Sequence, residues 1–217
     1  MKIDELYPYV LAELPDCPDE MLRQSFAFTA MDLCRQTHIW NEIADAAILV
    51  DGIADYDIDY PSGTIAETVT SVWCGPREMR AKTMSAMNDV LPDWQTATST
   101  HPIYYNSTAD WGSISVYPTP RGLAQLGIKP SITLRGVFIP KATATDLPNF
   151  LTDRYLECLC AGVKGRLMLQ PNQKWSNPQI GAFYKGEYER MRGDVRVFVL
   201  AERVPGVTRV RPIRFGG

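Results

Sequence analysis

Residues 56–73 read YDIDYPSGTIAETVTSVW, and this stretch indicates that the middle of the chain forms β-sheet. Its first five residues alternate between apolar and acidic, which places Asp57 and Asp59 on one face of a strand and the apolar side chains on the other. The tripeptide Pro61-Ser62-Gly63 is typical of a turn, and residues 64–73 are typical of a return strand. We therefore expect a β-hairpin here.

The hairpin lies in a longer segment, residues 39–145, that is rich in β-branched and aromatic residues and is interrupted by Gly, Pro, Asn and Asp. This composition predicts a β-rich lobe. Further strands are predicted at 101–105, 112–117 and 132–139, with a short helix near 85–90.

Helical patterns precede this lobe. Apolar residues at spacings of three and four predict a first helix over 3–14, which Pro15 ends. Pro18 and the acids after it open a second helix that runs to about Thr37. Its apolar stripe consists of Leu22, Phe26, Ala30, Leu33 and Thr37.

Helical patterns also follow the lobe. From Pro148 to about Leu167 the apolar spacing is helical, although Gly162 and Gly165 each cost about 1 kcal/mol of helix propensity, which close approach of a neighbouring helix would explain. Ser176-Asn177-Pro178 predicts the start of a last helix. Its expected inward residues are Ile180, Phe183 or Tyr184, Tyr188, Met191 and Val195.

These patterns predict an α+β fold in which the N-terminal and C-terminal helices form a helical bundle, with an inserted antiparallel β-rich lobe and an extended C-terminal tail. The predicted boundaries are 1–38 and 146–200 for the bundle, 39–145 for the lobe and 201–217 for the tail.

Charge is distributed unevenly along the chain, although its net value is only -3. Residues 41–76 contain seven acids and no Lys or Arg, whereas residues 203–217 contain four Arg and no acid. A basic tail on an acidic body favours docking onto an acidic neighbour, with a solvated tail as the alternative. No signal peptide or membrane span is expected, which favours synthesis in the cytoplasm.

The sequence contains few groups suited to catalysis or metal binding. The two histidines, His38 and His101, lack the context of a nucleophile and its base, and the five cysteines lack CxxC spacing, so we expect reduced, buried thiols. The acidic run that begins at Asp55 is not an EF-hand loop, because Tyr60 and Ala66 stand where Gly and Glu are needed. No catalytic residue, cofactor or metal site is predicted.

Four motifs follow one another in a specific order: YVLAELPDCP at 9–18, THIW at 37–40, VYPTP at 116–120, and the stretch from AG at 161–162 through PNQKWS at 171–176. Their order resembles that of the head-to-tail adaptor, or connector, proteins of tailed bacteriophages. The resemblance covers nearly the whole chain, and it rests on packing and turn motifs.

The resemblance implies a virion structural protein without enzymatic activity, found in the neck of the particle and in the host cytoplasm during assembly. Such proteins form a ring of about twelve copies between the portal and the tail or nozzle, and genomic DNA passes through it without specific contacts. The resemblance assigns portal binding to the tail residues Arg203, Arg209, Val210, Arg211, Ile213, Arg214 and Phe215.

Two alternatives stay open at this point. Another interaction protein of the same particle, such as a tail-completion ring or a minor head protein, would share these features. A small hydrolase or nuclease is a more remote alternative, and His101 and Asp110 are the residues whose substitution would test it.

Overall fold

The computed structural model describes residues 1–107, 112–126 and 131–203. Its α-helices are α1 Pro8–Leu11, α2 Asp19–Thr37, α3 Met84–Val90, α4 Asn149–Arg154, α5 Leu156–Met168 and α6 Pro178–Arg203, and short 3-10 helices cover Ile3–Leu6 and Leu123–Leu126. Within these ranges, none of the helices combines the length and the hydropathy that a bilayer span requires.

The strands lie between α2 and α4. They are β1 Asn41–Ile48, β2 Asp55–Asp57, β3 Thr64–Cys74, β4 Arg77–Ala81, β5 Thr98–Ser99, β6 Tyr104–Ser107, β7 Ser113–Tyr117, β8 Thr119–Pro120 and β9 Ser131–Pro140. In the described part of the chain, seven of them form one sheet in the order β1-β9-β3-β4-β6-β7-β2, and β5 pairs separately with β8. Neighbours in the large sheet are antiparallel except for β4 and β6, which are parallel.

The expectation of a helical bundle with an inserted antiparallel lobe is wrong. The fold is α+β, but its main element is a large, curled, mixed sheet that forms a half-barrel. The sequence pattern underestimates this sheet because two strands have weak strand propensity: β1 contains three alanines and two acids, and three of the five residues of β4 are charged. The parallel pairing of β4 with β6 depends on a crossover through α3, which no local pattern reveals.

The long strands β3 and β9 pair irregularly, which favours curling of the sheet. Their register shifts between Ala66 and Thr68 and again between Val69 and Ser71, and such bulges increase the local twist. Gly136 of β9 is needed at this point, because a Cβ there would lie 3.0 Å from the carbonyl oxygen of Thr68. The bulges and the glycine together let the two strands bend as a pair.

The predicted hairpin over 56–73 is half right. The alternation is confirmed, since Tyr56 is buried while Asp57 and Asp59 are exposed. The pairing is wrong, because β2 pairs with β7 and not with β3. The hydroxyl of Tyr56 donates to the carbonyl of Ile53 at 2.8 Å and holds the turn before β2, and β2 lies at one edge of the sheet.

The first predicted helix is divided into a 3-10 turn and the short helix α1. Pro8 has no amide hydrogen, so a continuous α-helix through this position would lose a hydrogen bond. The apolar spacing nevertheless has the predicted effect. Its four residues Ile3, Leu6, Val10 and Leu14 are all fully buried.

Helices and sheet share one hydrophobic core. Helix α2 lies against β9 on one side and against α5 and α6 on the other. Its predicted stripe is confirmed as buried, and Phe26 of this stripe belongs to the same cluster of core side chains as Phe138 of β9. The boundaries predicted at 38, 146 and 200 stay predictions.

The close approach predicted at Gly162 and Gly165 is confirmed, and the neighbouring helix is α6. A Cβ on Gly162 would collide with the side chains of Thr29 and Tyr188. A Cβ on Gly165 would lie 2.8 Å from the backbone nitrogen of Lys185. The backbones of α5 and α6 can therefore touch at Gly165, whereas Gly162 makes room for the Tyr188 ring of α6 and for Thr29 of α2.

Substitution of Gly162 by Ala should lower the free energy of unfolding by about 1–3 kcal/mol, the usual cost of overpacking. The matched control is Gly186→Ala in α6, where an added Cβ meets no atom within 4 Å; it should raise stability by up to about 1 kcal/mol through helix propensity. Urea denaturation followed by tryptophan fluorescence measures both. A Gly162→Ala protein as stable as the wild type would contradict this packing.

Candidate functional site

Helix α6 leads to the tail that the resemblance assigns to portal binding. The helix begins where predicted, with Pro178 in its first turn, and the Asn177 Oδ1 accepts a hydrogen bond from the Ile180 amide at 3.3 Å. It runs for 26 residues, which corresponds to a length of about 39 Å. It ends at Arg203, the first of the predicted site residues.

The remaining site residues lie outside the described part of the chain. They are Arg209, Val210, Arg211, Ile213, Arg214 and Phe215. Their assignment to portal binding therefore stays a prediction.

The middle of α6 is tied to α2 by a carboxylate. The Asp32 Oδ2 accepts hydrogen bonds from the Tyr188 hydroxyl at 2.7 Å and from the Arg192 guanidinium at 2.8 Å. The guanidinium also lies 5.4 Å from the centroid of the Tyr188 ring. Burial and the neighbouring carboxylate raise the pKa of Tyr188 well above its ordinary value, so the phenol remains a hydrogen-bond donor.

The start of α6 is tied to the N-terminal segment by a second carboxylate. Glu13 accepts hydrogen bonds from the Lys164 ammonium of α5 and from the Tyr184 hydroxyl of α6. Burial would raise the pKa of Glu13, but the hydrogen bonds from these two donors outweigh it and hold the pKa below its usual value. Three separate segments are thus joined at one carboxylate.

A groove of about 350 Å³ lies beside the C-terminal end of α6. Its lining residues are His38, Ile39, Asn41, Arg135, Phe150, Arg154, Tyr155, Phe198 and Val199. Within the described ranges Arg135 and Arg154 form no ion pair, and the buried Asn41 Oδ1 accepts no hydrogen bond. The lining therefore combines two cationic side chains with several apolar ones.

The outer surface of α6 is more apolar than the sequence pattern predicts. Ile180 was expected to point inward but is exposed, and of the alternatives Phe183 and Tyr184 it is Tyr184 that is half-buried. The rotation follows from the contacts with α5, because Gly181 and Lys185 face that helix at short distance. The large exposed apolar side chains of α6 are Ile180, Phe183, Val197, Phe198 and Leu200.

The acids of the segment 41–76 serve two different purposes. Asp51 accepts hydrogen bonds from the backbone amides of Gly122 and Leu123 at 3.2 and 3.0 Å, so it holds a loop. Asp57 and Asp59 are exposed on the outer face, as the alternation predicts. Because Asp51 is exposed as well, this part of the surface keeps the acidic character that the sequence count indicates.

The histidines and cysteines, which the sequence analysis considered as possible catalytic or metal-binding residues, contribute to local structure. His38 is the left-handed C-cap of α2, and its amide donates to the carbonyl of Cys34 at 2.8 Å. His101 lies 2.9 Å from the hydroxyl of Thr100, and Asp110 is outside the described residues.

The expectation of reduced, buried thiols is confirmed for all five cysteines. Across the described ranges, no three His, Cys, Asp or Glu side chains are grouped to hold a metal ion.

Comparison with known proteins gives no family for this chain. No protein-family model matches the sequence, and no curated protein matches it.

Acid should weaken the tie at Glu13. Because the folded pKa is lower than the unfolded value of about 4.3, the stabilisation is complete above that pH and is lost as the pH falls through the folded pKa. The difference in melting temperature between wild type and Glu13→Gln should therefore be largest at pH 7 and shrink toward pH 3. Glu5→Gln, an exposed carboxylate of the same segment, is the control. A difference that does not change with pH would contradict this role.

Proposed function

We propose that this chain is a head-to-tail adaptor of a tailed bacteriophage. In this role it forms a ring of about twelve copies between the portal and the tail or nozzle, and genomic DNA passes through the ring. The protein acts through shape and association, and it catalyses no reaction. The ordered motifs from YVLAELPDCP at 9–18 to PNQKWS at 171–176 support the class of protein.

The structural support for this proposal comes from α6, the helix that immediately precedes the basic tail in the sequence. The helix is held by Asp32 and Glu13 along its first two thirds, and its last turns carry exposed apolar side chains such as Val197 and Phe198. A firmly anchored helix with an apolar end is a suitable base for a docking segment, because large exposed apolar patches mark interaction sites.

The composition of the tail suits a portal surface that carries carboxylates. Its arginines would form charge-assisted, often bidentate hydrogen bonds, and these would set the register of each subunit on the portal. Val210, Ile213 and Phe215 would supply the buried apolar area. Ordering of the segment on binding would reduce the affinity per unit of area, but twelvefold repetition around a ring compensates through avidity.

Removal of residues 203–217 should leave a folded protein that no longer joins its portal. Circular dichroism would verify the fold, and co-sedimentation with purified portal rings of the phage that encodes the chain would measure binding. The matched variant replaces Arg209, Arg211 and Arg214 with Ala at full length, and it should bind at least about tenfold more weakly, because each lost charge-assisted bond is worth about 1.5–3 kcal/mol.

A truncated protein that still sediments with portal rings would show that the tail is not the docking segment. Full binding by the triple variant would show that the arginines do not contribute to it.

A further inference from the structure

The outer face of the large sheet carries a groove at the β1 edge. A hollow of about 340 Å³ lies across β1, β9 and β3, and its lining residues are Ile43, Trp73, Gly75, Thr133 and Arg135. This hollow shares Arg135 with the hollow of about 350 Å³ beside the end of α6. We call the two hollows together the Arg135 groove.

The sheet part of the groove has the composition of a protein interface. Its residues lie on the face opposite the core, since their chain neighbours Val72 and Leu134 are buried. Ile43 is 56% exposed, Trp73 is half-buried and Arg135 is exposed. Tryptophan and arginine are the residue types most enriched among the energetically dominant residues of protein interfaces.

The groove contains two cations that are not balanced by a carboxylate. Arg135 and Arg154 are both exposed and line the same hollow, and neither forms an ion pair in the parts of the chain that the structure describes. By contrast, Arg35 is paired with Glu67 at 2.9 Å. Unpaired guanidinium groups beside apolar side chains favour a protein segment that carries both carboxylates and apolar residues, because charge-assisted bonds then form next to buried apolar area.

The opposite edge of the same sheet presents such a segment. Strand β2 is the last strand in the sheet order, and residues 50–59, which we call the β2 edge, include it and the turn before it. Val50 and Ile53 are 48% and 45% exposed. Asp57 and Asp59 are exposed two residues apart, a spacing of about 6.6 Å along an extended chain.

The two aspartates of the β2 edge are available for a partner. Neither Asp57 nor Asp59 forms an ion pair across the described ranges, and no Lys or Arg occurs in the sequence from 41 to 76. Asp51 differs, because its carboxylate holds the backbone amides of Gly122 and Leu123. The charge complementarity therefore rests on the two aspartates and the two arginines.

We infer that the β2 edge of one copy of this chain binds in the Arg135 groove of the next copy. Asp57 and Asp59 then pair with Arg135 and Arg154, and the exposed apolar side chains of the edge cover those of the groove. Because the two surfaces belong to opposite edges of one sheet, the contact joins different surfaces head to tail, as a closed ring requires. This inference rests on the proposed function, and it identifies the contact that builds the ring.

A second role for the same aspartates can be separated by reversing their charge. Charged side chains on an edge strand also protect it from unspecific pairing with other strands. Lysine serves that protective role as well as aspartate does. Only the contact with arginine depends on the sign of the charge.

Sedimentation velocity on the full-length chain, from about 1 μM to about 1 mM, tests the contact. The wild type should form assemblies larger than dimers. The groove variant, Arg135→Glu with Arg154→Glu, and the edge variant, Asp57→Lys with Asp59→Lys, should each associate at least about tenfold more weakly, because each places like charges opposite one another. Arg166→Glu, at an exposed arginine of α5, is the matched control and should not change the association.

An equimolar mixture of the two variants should restore assembly. The new glutamates of the groove variant then face the new lysines of the edge variant, while the other contact keeps its native charges. Such recovery also shows that both variants are folded. A second control, Glu5→Lys at an exposed acid of the N-terminal segment, should not associate with the groove variant any better than the wild type does.

Several results would overturn the inference. They are a wild type that remains monomeric at about 1 mM, association that the groove and edge variants leave unchanged, and a mixture that does not restore assembly. Association that stops at the dimer would overturn the head-to-tail arrangement. Binding of random-sequence duplex DNA that the groove variant loses, with self-association unchanged, would assign the groove to nucleic acid instead.

The co-sedimentation assay with portal rings separates this contact from the proposed function. A wild type that binds portal rings but fails the self-association test would overturn the contact and leave the adaptor role standing. A chain that assembles through the groove but does not bind portal rings would do the reverse.

Discussion

The direct contact between the backbones of α5 and α6 determines which side chains of α6 face the core and which face outward. Gly165 leaves no room for a side chain between the two backbones, and Gly162 leaves room for the Tyr188 ring, so the contact sets how α6 is rotated. That rotation brings Tyr184 and Tyr188 within reach of Glu13 and Asp32. The same rotation turns the opposite face of α6 outward, and the anchored helix then leads to the basic segment.

Local patterns in the sequence predict the helices well, because each pattern depends on groups that lie close together in the chain. The start of α6 at Pro178, the buried stripe of α2 and the glycine contact of α5 all follow from spacing and from capping chemistry. The sheet is predicted less well because its partners are distant in sequence. The pairing of β2 with β7 and the parallel pairing of β4 with β6 depend on tertiary packing.

The candidate site, too, could be predicted from the sequence only in part. The basic residues of 203–217 are evident from composition, and their assignment to portal binding rests on the resemblance to phage adaptors. The exposed apolar residues of α6 could not be predicted, because Ile180 and Phe183 fit an inward-facing pattern until the rotation of α6 is known.

A cryo-electron microscopy map of the neck of the phage particle would show both the position and the number of copies of this protein. We expect this fold, with its half-barrel sheet and long α6, to repeat around a closed ring between portal and tail, and the chain beyond Arg203 to contact the portal. A neck that lacks this fold, or that contains it as a single copy away from the portal, would show that the protein is not a head-to-tail adaptor.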